Sequence, residues 1–347
     1  MAVSEVEIKE GVETRVKAYL KEHNAAGVAV AIVKHSFDME KPYAKTFCFG
    51  YAKRNDKITI KESTQFRIGT LSSSFTGLLL AQALQQGMIK EEDELSTYFH
   101  KTFPIPKYHE TPIRVLDLAL NASSLPNYPT IPMKLYQAKI KDIENYFRSY
   151  KLSRKHRSKC ETSMLGYGCL AYILSRQAQI SYGAMLYERI LKPLGLENTY
   201  YSLSLQDRQR LATGYQAIAP VTENFLDRDS SFFKPVQGLT SNIEDLSKWL
   251  AFFLKIHPTS LDPCLKSIYA NYGNLPDSLV KKWGFGWRIE PLSYRQSLLT
   301  YRQGSIYHGF SSCMAMTPDT KTGVVILSNT EYGVEELADE LLILLNS

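Results

Sequence analysis

Ile8, Val12, Val16, Tyr19 and Leu20 recur at helical spacing, and Ser4 with Glu7 ahead of them makes a capping box. The pattern predicts an N-terminal helix. "GVAVAIVK" from Gly27 reads as a buried strand, and "AKTFCFGYA" from Ala44 alternates well enough to be its neighbour. Residues 66–69 lead into a long apolar helix that Gly87 ends, followed by the charged "KEEDEL", a solvated turn. The middle of the chain, roughly 70–200, reads as helical with long loops. Helices are expected over 166–178 and 181–191, the second stopped by Pro193. Strand character returns in "GFGWRI" from Gly284, "SCMAM" from Ser312 and "TGVVILSN" from Thr322. The last helix carries Leu337, Leu341, Leu344 and Leu345 on one face.

Helix and strands at both ends thus bracket a helical middle. The simplest architecture is an α/β layer built from residues 1–68 and 200–347, its antiparallel sheet flanked by helices, with an all-α domain inserted over 69–199. The 347 residues, 44% of them apolar, suffice for a sizeable core. A net charge of +6 is too mild to argue for nucleic acid. Cys48, Cys160, Cys169, Cys264 and Cys313 are scattered, odd in number and without a C-x-x-C pair, which argues against both a zinc site and a disulfide framework. No metal or other cofactor is expected. No apolar run is long enough to suggest a membrane span. "MAVSEVEIKEG" lacks a basic-then-apolar leader, so a cytoplasmic location is expected unless export takes another route or a signal has been removed.

Several segments carry a resemblance. "QFRIGTLSSSFTGLLLAQALQQGMI", "TPIRVLDLALNASSLPNY", "GYGCLAYILSRQAQISYGAMLYERILKPLGLENTYYS", "GLTSNIEDLSKWLAFFL", "WGFGW" and "HGFSSCMAMTPDTKTGVVILSN" resemble, in order and spacing, the serine β-lactamase and penicillin-binding-protein superfamily. The likeness is greatest to its class C β-lactamase and esterase/D-peptidase branch and covers nearly the whole chain. It implies that family's fold, and a reaction of acyl transfer through a serine ester. Such a reaction needs a nucleophile, a base and an oxyanion site.

The family's three motifs map onto unusual residues here. In S-x-x-K the serine position falls on Thr70 and the lysine position on Ser73. Thr70 keeps a hydroxyl, but Ser73 is short and far too weak a base. In Y-x-N the tyrosine position falls on Thr162 and the asparagine position on Met164, which has no useful donor or acceptor. Lys/His-x-Gly falls on Gln303, Gly304 and Ser305, so its cation is missing; Arg302 would point to the other face of the strand. Asn121 and Ser124 stand where the family often has histidine and glycine. All three motifs therefore lack their proton-transfer groups.

This reading implies a pseudoenzyme that binds a ligand or partner, a small molecule or a protein, in or near the old cleft. Two alternatives stay open. One is an active esterase or amidase built on Thr70, with His308 as a base supplied from the loop beside the third motif. The other is an interaction protein using the basic run "RSYKLSRKHRSK", with Arg154, Lys155 and Arg157, to meet an acidic partner. Ordinary surface composition is the simpler account of both His308 and the basic run.

Overall fold

In the computed structural model of the chain, residues 3–35, 41–132, 137–221, 231–270, 282–292 and 295–347 are described. The capping box forms: the Glu7 amide donates to Ser4 Oγ, and the Ser4 amide to the Glu7 carboxylate. Helix α1 follows over Glu5–Glu22 and buries Ile8, Val12, Val16 and Tyr19. Strands β1 (Gly27–Lys34) and β2 (Tyr43–Lys53) form a hairpin, and the short β3 (Ile58–Thr59) pairs outside β2. Five more strands come from the far end of the chain: β4 (Lys282–Gly284), β5 (Trp287–Leu292), β6 (Arg295–Tyr307), β7 (Phe310–Thr317) and β8 (Thr322–Ser328). Together they build one antiparallel sheet of order β3-β2-β1-β8-β7-β6-β5-β4.

Among the described residues, the α-helices of five or more residues between the two groups of strands are α2 (Ser72–Gln85), α3 (Val115–Ala119), α4 (Ile140–Ser149), α5 (Met164–Ala178), α6 (Tyr182–Leu186) and α7 (Ile243–Phe253). Helix α8 (Glu335–Asn346) closes the chain. Among the described residues no helix is long and apolar enough to cross a membrane.

Strand β1 is buried along its whole length, and its two faces serve two cores. Val28, Val30 and Ile32 pack with α1 and with Leu337, Leu341 and Leu345 of α8. Ala29, Ala31 and Val33 face the opposite core with Phe75 and Trp249, whose rings stack at 4.1 Å. The period-2 alternation of a strand accounts for this division.

Two local expectations change. "GFGWRI" is not one strand: Phe285 and Gly286, at φ 49° and 90°, make a tight turn joining β4 to β5. A glycine that tolerates positive φ permits the turn. The segment 181–191 is α-helical only over Tyr182–Leu186, and continues as a π-helical turn over Tyr187–Leu191.

Candidate functional site

Thr70 lies in a 3₁₀ turn, Gly69–Leu71, that runs directly into α2. The turn is stitched to neighbouring strands. The Ile68 amide donates to the Leu239 carbonyl at 3.1 Å, and the Ser312 hydroxyl of β7 donates to the Ile68 carbonyl at 2.9 Å. Thr70 is engaged three times by β6, its hydroxyl also lying 3.5 Å from Gln303 Oε1. Its hydroxyl donates to the Gly304 carbonyl at 2.8 Å, and its amide to the Ser305 hydroxyl at 3.0 Å.

The three serines that follow are buried and bonded. Ser73 donates to the Val236 carbonyl at 3.2 Å. Ser72 donates to the Gly69 carbonyl at 2.7 Å and accepts from the Leu239 amide. Ser74 donates to the Leu71 carbonyl at 2.7 Å and accepts from the Trp249 indole. Short side chains at the start of a helix are well suited to such local bonds.

Gln303 turns to the β4–β5 turn: its amide nitrogen donates to the Gly286 carbonyl at 2.7 Å, and its side-chain oxygen accepts from the Gly304 amide. Arg302 projects to the opposite face, as strand alternation requires, and pairs with Glu290 at 2.9 Å and Asp339 at 2.5 Å. His308 and Gly309, at φ 47° and 81°, form the two-residue turn between β6 and β7. The imidazole sits at the surface, edge-on to Tyr307 at 4.4 Å. Partial burial lowers its pKa; Arg67 adds to this and Glu331 opposes it. Among the described residues no hydrogen bond joins His308 to Thr70.

Met164 opens α5 with its side chain in the core. Its amide donates to the Asn127 side chain, and the neighbouring Ser163 amide donates to Asn121 Oδ1 at 2.9 Å. Thr162 is half-buried. The structure therefore brings Thr70, Gln303 and Ser305 into one network; neither Thr162 nor Met164 is hydrogen-bonded to it among the described residues.

Sequence reading missed Tyr128 and Gln237, which meet at 2.6 Å. Burial pushes the Tyr128 and Tyr307 hydroxyls up to about 12, and Tyr128 also raises Tyr307. Gln237 lies one residue beyond Val236, the partner of Ser73, so the segment leading into "GLTSN" was the signal available.

The basic run is largely neutralised within the protein. Arg148 pairs with Glu144, and Arg154 and Lys159 share Glu161. Arg157 reaches the buried Asp117 at 2.6 Å and Glu92 at 3.4 Å. Lys155 is exposed, with no ion pair among the described residues. Lys155 and Arg157 border a groove of about 630 Å³ that Glu92, Arg114, Asp117 and His156 also line. Among the described residues no group of three His, Cys, Asp or Glu could hold a metal ion.

A family model described as β-lactamase matches residues 12–346. Among curated relatives, the D-alanyl-D-alanine-carboxypeptidase/endopeptidase AmpH of Escherichia coli K12 is 23% identical over 345 residues, covering 91% of this chain and 85% of that protein. The β-lactamase of the same organism is 22% identical over 361 residues, covering 94% and 90%. Protein flp of Staphylococcus aureus MW2 is 23% identical over 348 residues, covering 95% of this chain and 65% of that one. A class C β-lactamase structure superposes with a TM-score of 0.84 at 19% identity, covering 98% of this chain and 97% of the other. A β-lactamase/D-alanine carboxypeptidase from Pseudomonas syringae gives 0.82 at 18%, covering 98% of each.

Proposed function

This chain belongs to the β-lactamase family, and we propose that it has kept the fold while losing the acyl-transfer reaction, acting instead by binding a ligand or partner at the cleft around Thr70. One observation carries this reading. The Thr70 hydroxyl donates a hydrogen bond to the Gly304 carbonyl, and Ser73, one helical turn on, donates one to the Val236 carbonyl. A nucleophilic hydroxyl needs a base within hydrogen-bond reach. Both acceptors here are neutral amide carbonyls, which cannot take a proton at ordinary pH. Gln303, at the third motif, is uncharged and bonded to backbone on both sides.

AmpH and the E. coli β-lactamase bear the names of hydrolases, so the lost reaction would be hydrolysis of a peptide or β-lactam amide. The opposing reading, an esterase built on Thr70, draws support from the partial exposure of that residue. The pairing of Arg154, Arg157 and Lys159 counts against an interaction surface made from the basic run.

The test is incubation with fluorescent penicillin, a chromogenic cephalosporin and a panel of activated esters, beside Thr70→Ala. The expected result is no labelling and no turnover above the variant. Turnover that disappears in Thr70→Ala would overturn the proposal.

A further inference from the structure

We infer that Ser305 is an internal occupant of the oxyanion position, a side chain that closes the Thr70 amide to any acyl carbonyl. The inference rests on the non-hydrolytic reading above and extends it from the missing base to the second requirement of acyl transfer. If Thr70 Oγ1 bonded to a carbonyl carbon, the oxygen of that carbonyl would come to rest beside the amide of the same residue. Serine hydrolases use such backbone N–H groups, the nucleophile's own among them, to hold the developing negative charge.

In this chain the Thr70 amide already donates to Ser305 Oγ at 3.0 Å. The hydroxyl is held against the backbone of the preceding residue. A Cβ added to Gly69 would fall 2.0 Å from Ser305 Oγ and 3.3 Å from Tyr307 Cβ. Gly69 adopts φ +52°, which a side chain would strain as well. A glycine at 69 lets the Ser305 hydroxyl come this close.

The arrangement is fixed from both sides. Ser305 pairs with Ser312 across β6 and β7, and Ser312 holds the Ile68 carbonyl at 2.9 Å. Two hydroxyls on adjacent strands thus clamp residues 68 and 70. The Thr70 hydroxyl is bonded to Gly304, next to Ser305 in the same strand. A ligand's carbonyl oxygen would have to displace a well-placed intramolecular acceptor to reach the Thr70 amide. Ser305 is therefore a specificity-determining residue: it excludes acyl compounds from this donor, and a glycine at 305 would leave the donor open.

Two measurements test this. The first is amide hydrogen exchange at Thr70 by NMR in the full chain and in Ser305→Gly. Exchange at least tenfold faster in the variant, with the fold's other amides unchanged, is expected. The second compares T70S/S73K with T70S/S73K/S305G on an activated thioester. The triple variant is expected to exceed the double by about 100-fold in kcat, the scale of one oxyanion donor, with little change in KM. Equal rates in two active variants would overturn the inference, and so would Thr70 exchange unaffected by Ser305→Gly. If neither variant turns over, the exchange measurement decides alone. Turnover by the unmodified chain that Thr70→Ala abolishes overturns the reading of function, whereas amide exchange at Thr70 in Ser305→Gly reads the occupancy of that donor directly, so the two failures are distinguishable.

Discussion

The hydroxyl of Tyr167 and the amide of Gly286 meet at 2.5 Å, joining α5 to the turn between β4 and β5. The same hydroxyl donates to the Ala119 carbonyl at 2.9 Å, which also accepts the Phe285 amide at 3.1 Å. Through Gly286 the connection reaches Gln303 and so the Thr70 network. One tyrosine thus couples the helical middle to the sheet edge that carries the site. Replacing it with phenylalanine leaves the buried Gly286 amide and one lone pair of Ala119 without their partner. Tyr167→Phe should lose about 1–3 kcal/mol in urea unfolding. A loss under about 0.5 kcal/mol would show that the turn finds another partner.

Gly286 offers a cleaner test of close approach. At φ +90°, a Cβ there would lie 2.6 Å from the Ser73 carbonyl oxygen, a backbone atom that cannot swing away. Gly87 has φ +68° with nothing within 4 Å. Gly87→Ala should cost about 1 kcal/mol from backbone strain alone, and Gly286→Ala about 3 kcal/mol or more. Equal thermal shifts in the two variants would mean that α2 can yield to the turn.

Arg157 and Lys155 separate structural from superficial charge within the basic run. Asp117 is buried, caps α3 by accepting from the Arg114 amide, and draws its countercharge from Arg157. Arg157→Leu should destabilise the fold by about 2 kcal/mol, less than a wholly buried pair because the guanidinium is partly in water. Lys155→Ala should change stability by no more than about 0.5 kcal/mol. Denaturant titrations in which both variants match the parent would show that Asp117 is satisfied without Arg157.

Asp245, at the start of α7, has a pKa raised by burial, against which bonds from Thr199 and the Asn198 amide work. An acid with a raised folded pKa holds its proton more tightly in the native state. Its contribution to stability is fullest at low pH and is lost as pH rises through the ordinary aspartate value of 3.8 towards the raised one. Asp245→Asn removes this titration. The stability of the parent relative to Asp245→Asn should therefore fall as pH rises from about 3.5 to about 7. A difference that stays flat or rises over that range would contradict the assignment.

Much of this was legible in the chain. The capping box at Ser4, the buried run of β1 and the apolar positions of α2 depend on near neighbours, and each formed where its pattern placed it. Strand alternation was enough to send Arg302 away from Gln303 and Ser305. What the sequence could not show is where short polar side chains spend their bonds. Ser305 meets the Thr70 amide across 235 residues of sequence, and Ser73 meets Val236 across 163. Those partners are set by how strands and helices dock, which local pattern does not encode. The basic run shows the same limit: its charge is local, but Asp117 and Glu92, which answer Arg157, lie far upstream.

The position of β1 between β2 and β8 has a consequence for how the chain is made. Val28 pairs with Ser328, three hundred residues later. At about 5–20 residues per second, a ribosome takes about 15–60 s to deliver that partner. Through most of that interval one edge of a strand that is buried in the finished fold has no native neighbour, while the segment carrying Thr70 has emerged. The site is therefore completed late, because Ser305 and Ser312 are delivered only with the strands at the far end of the chain.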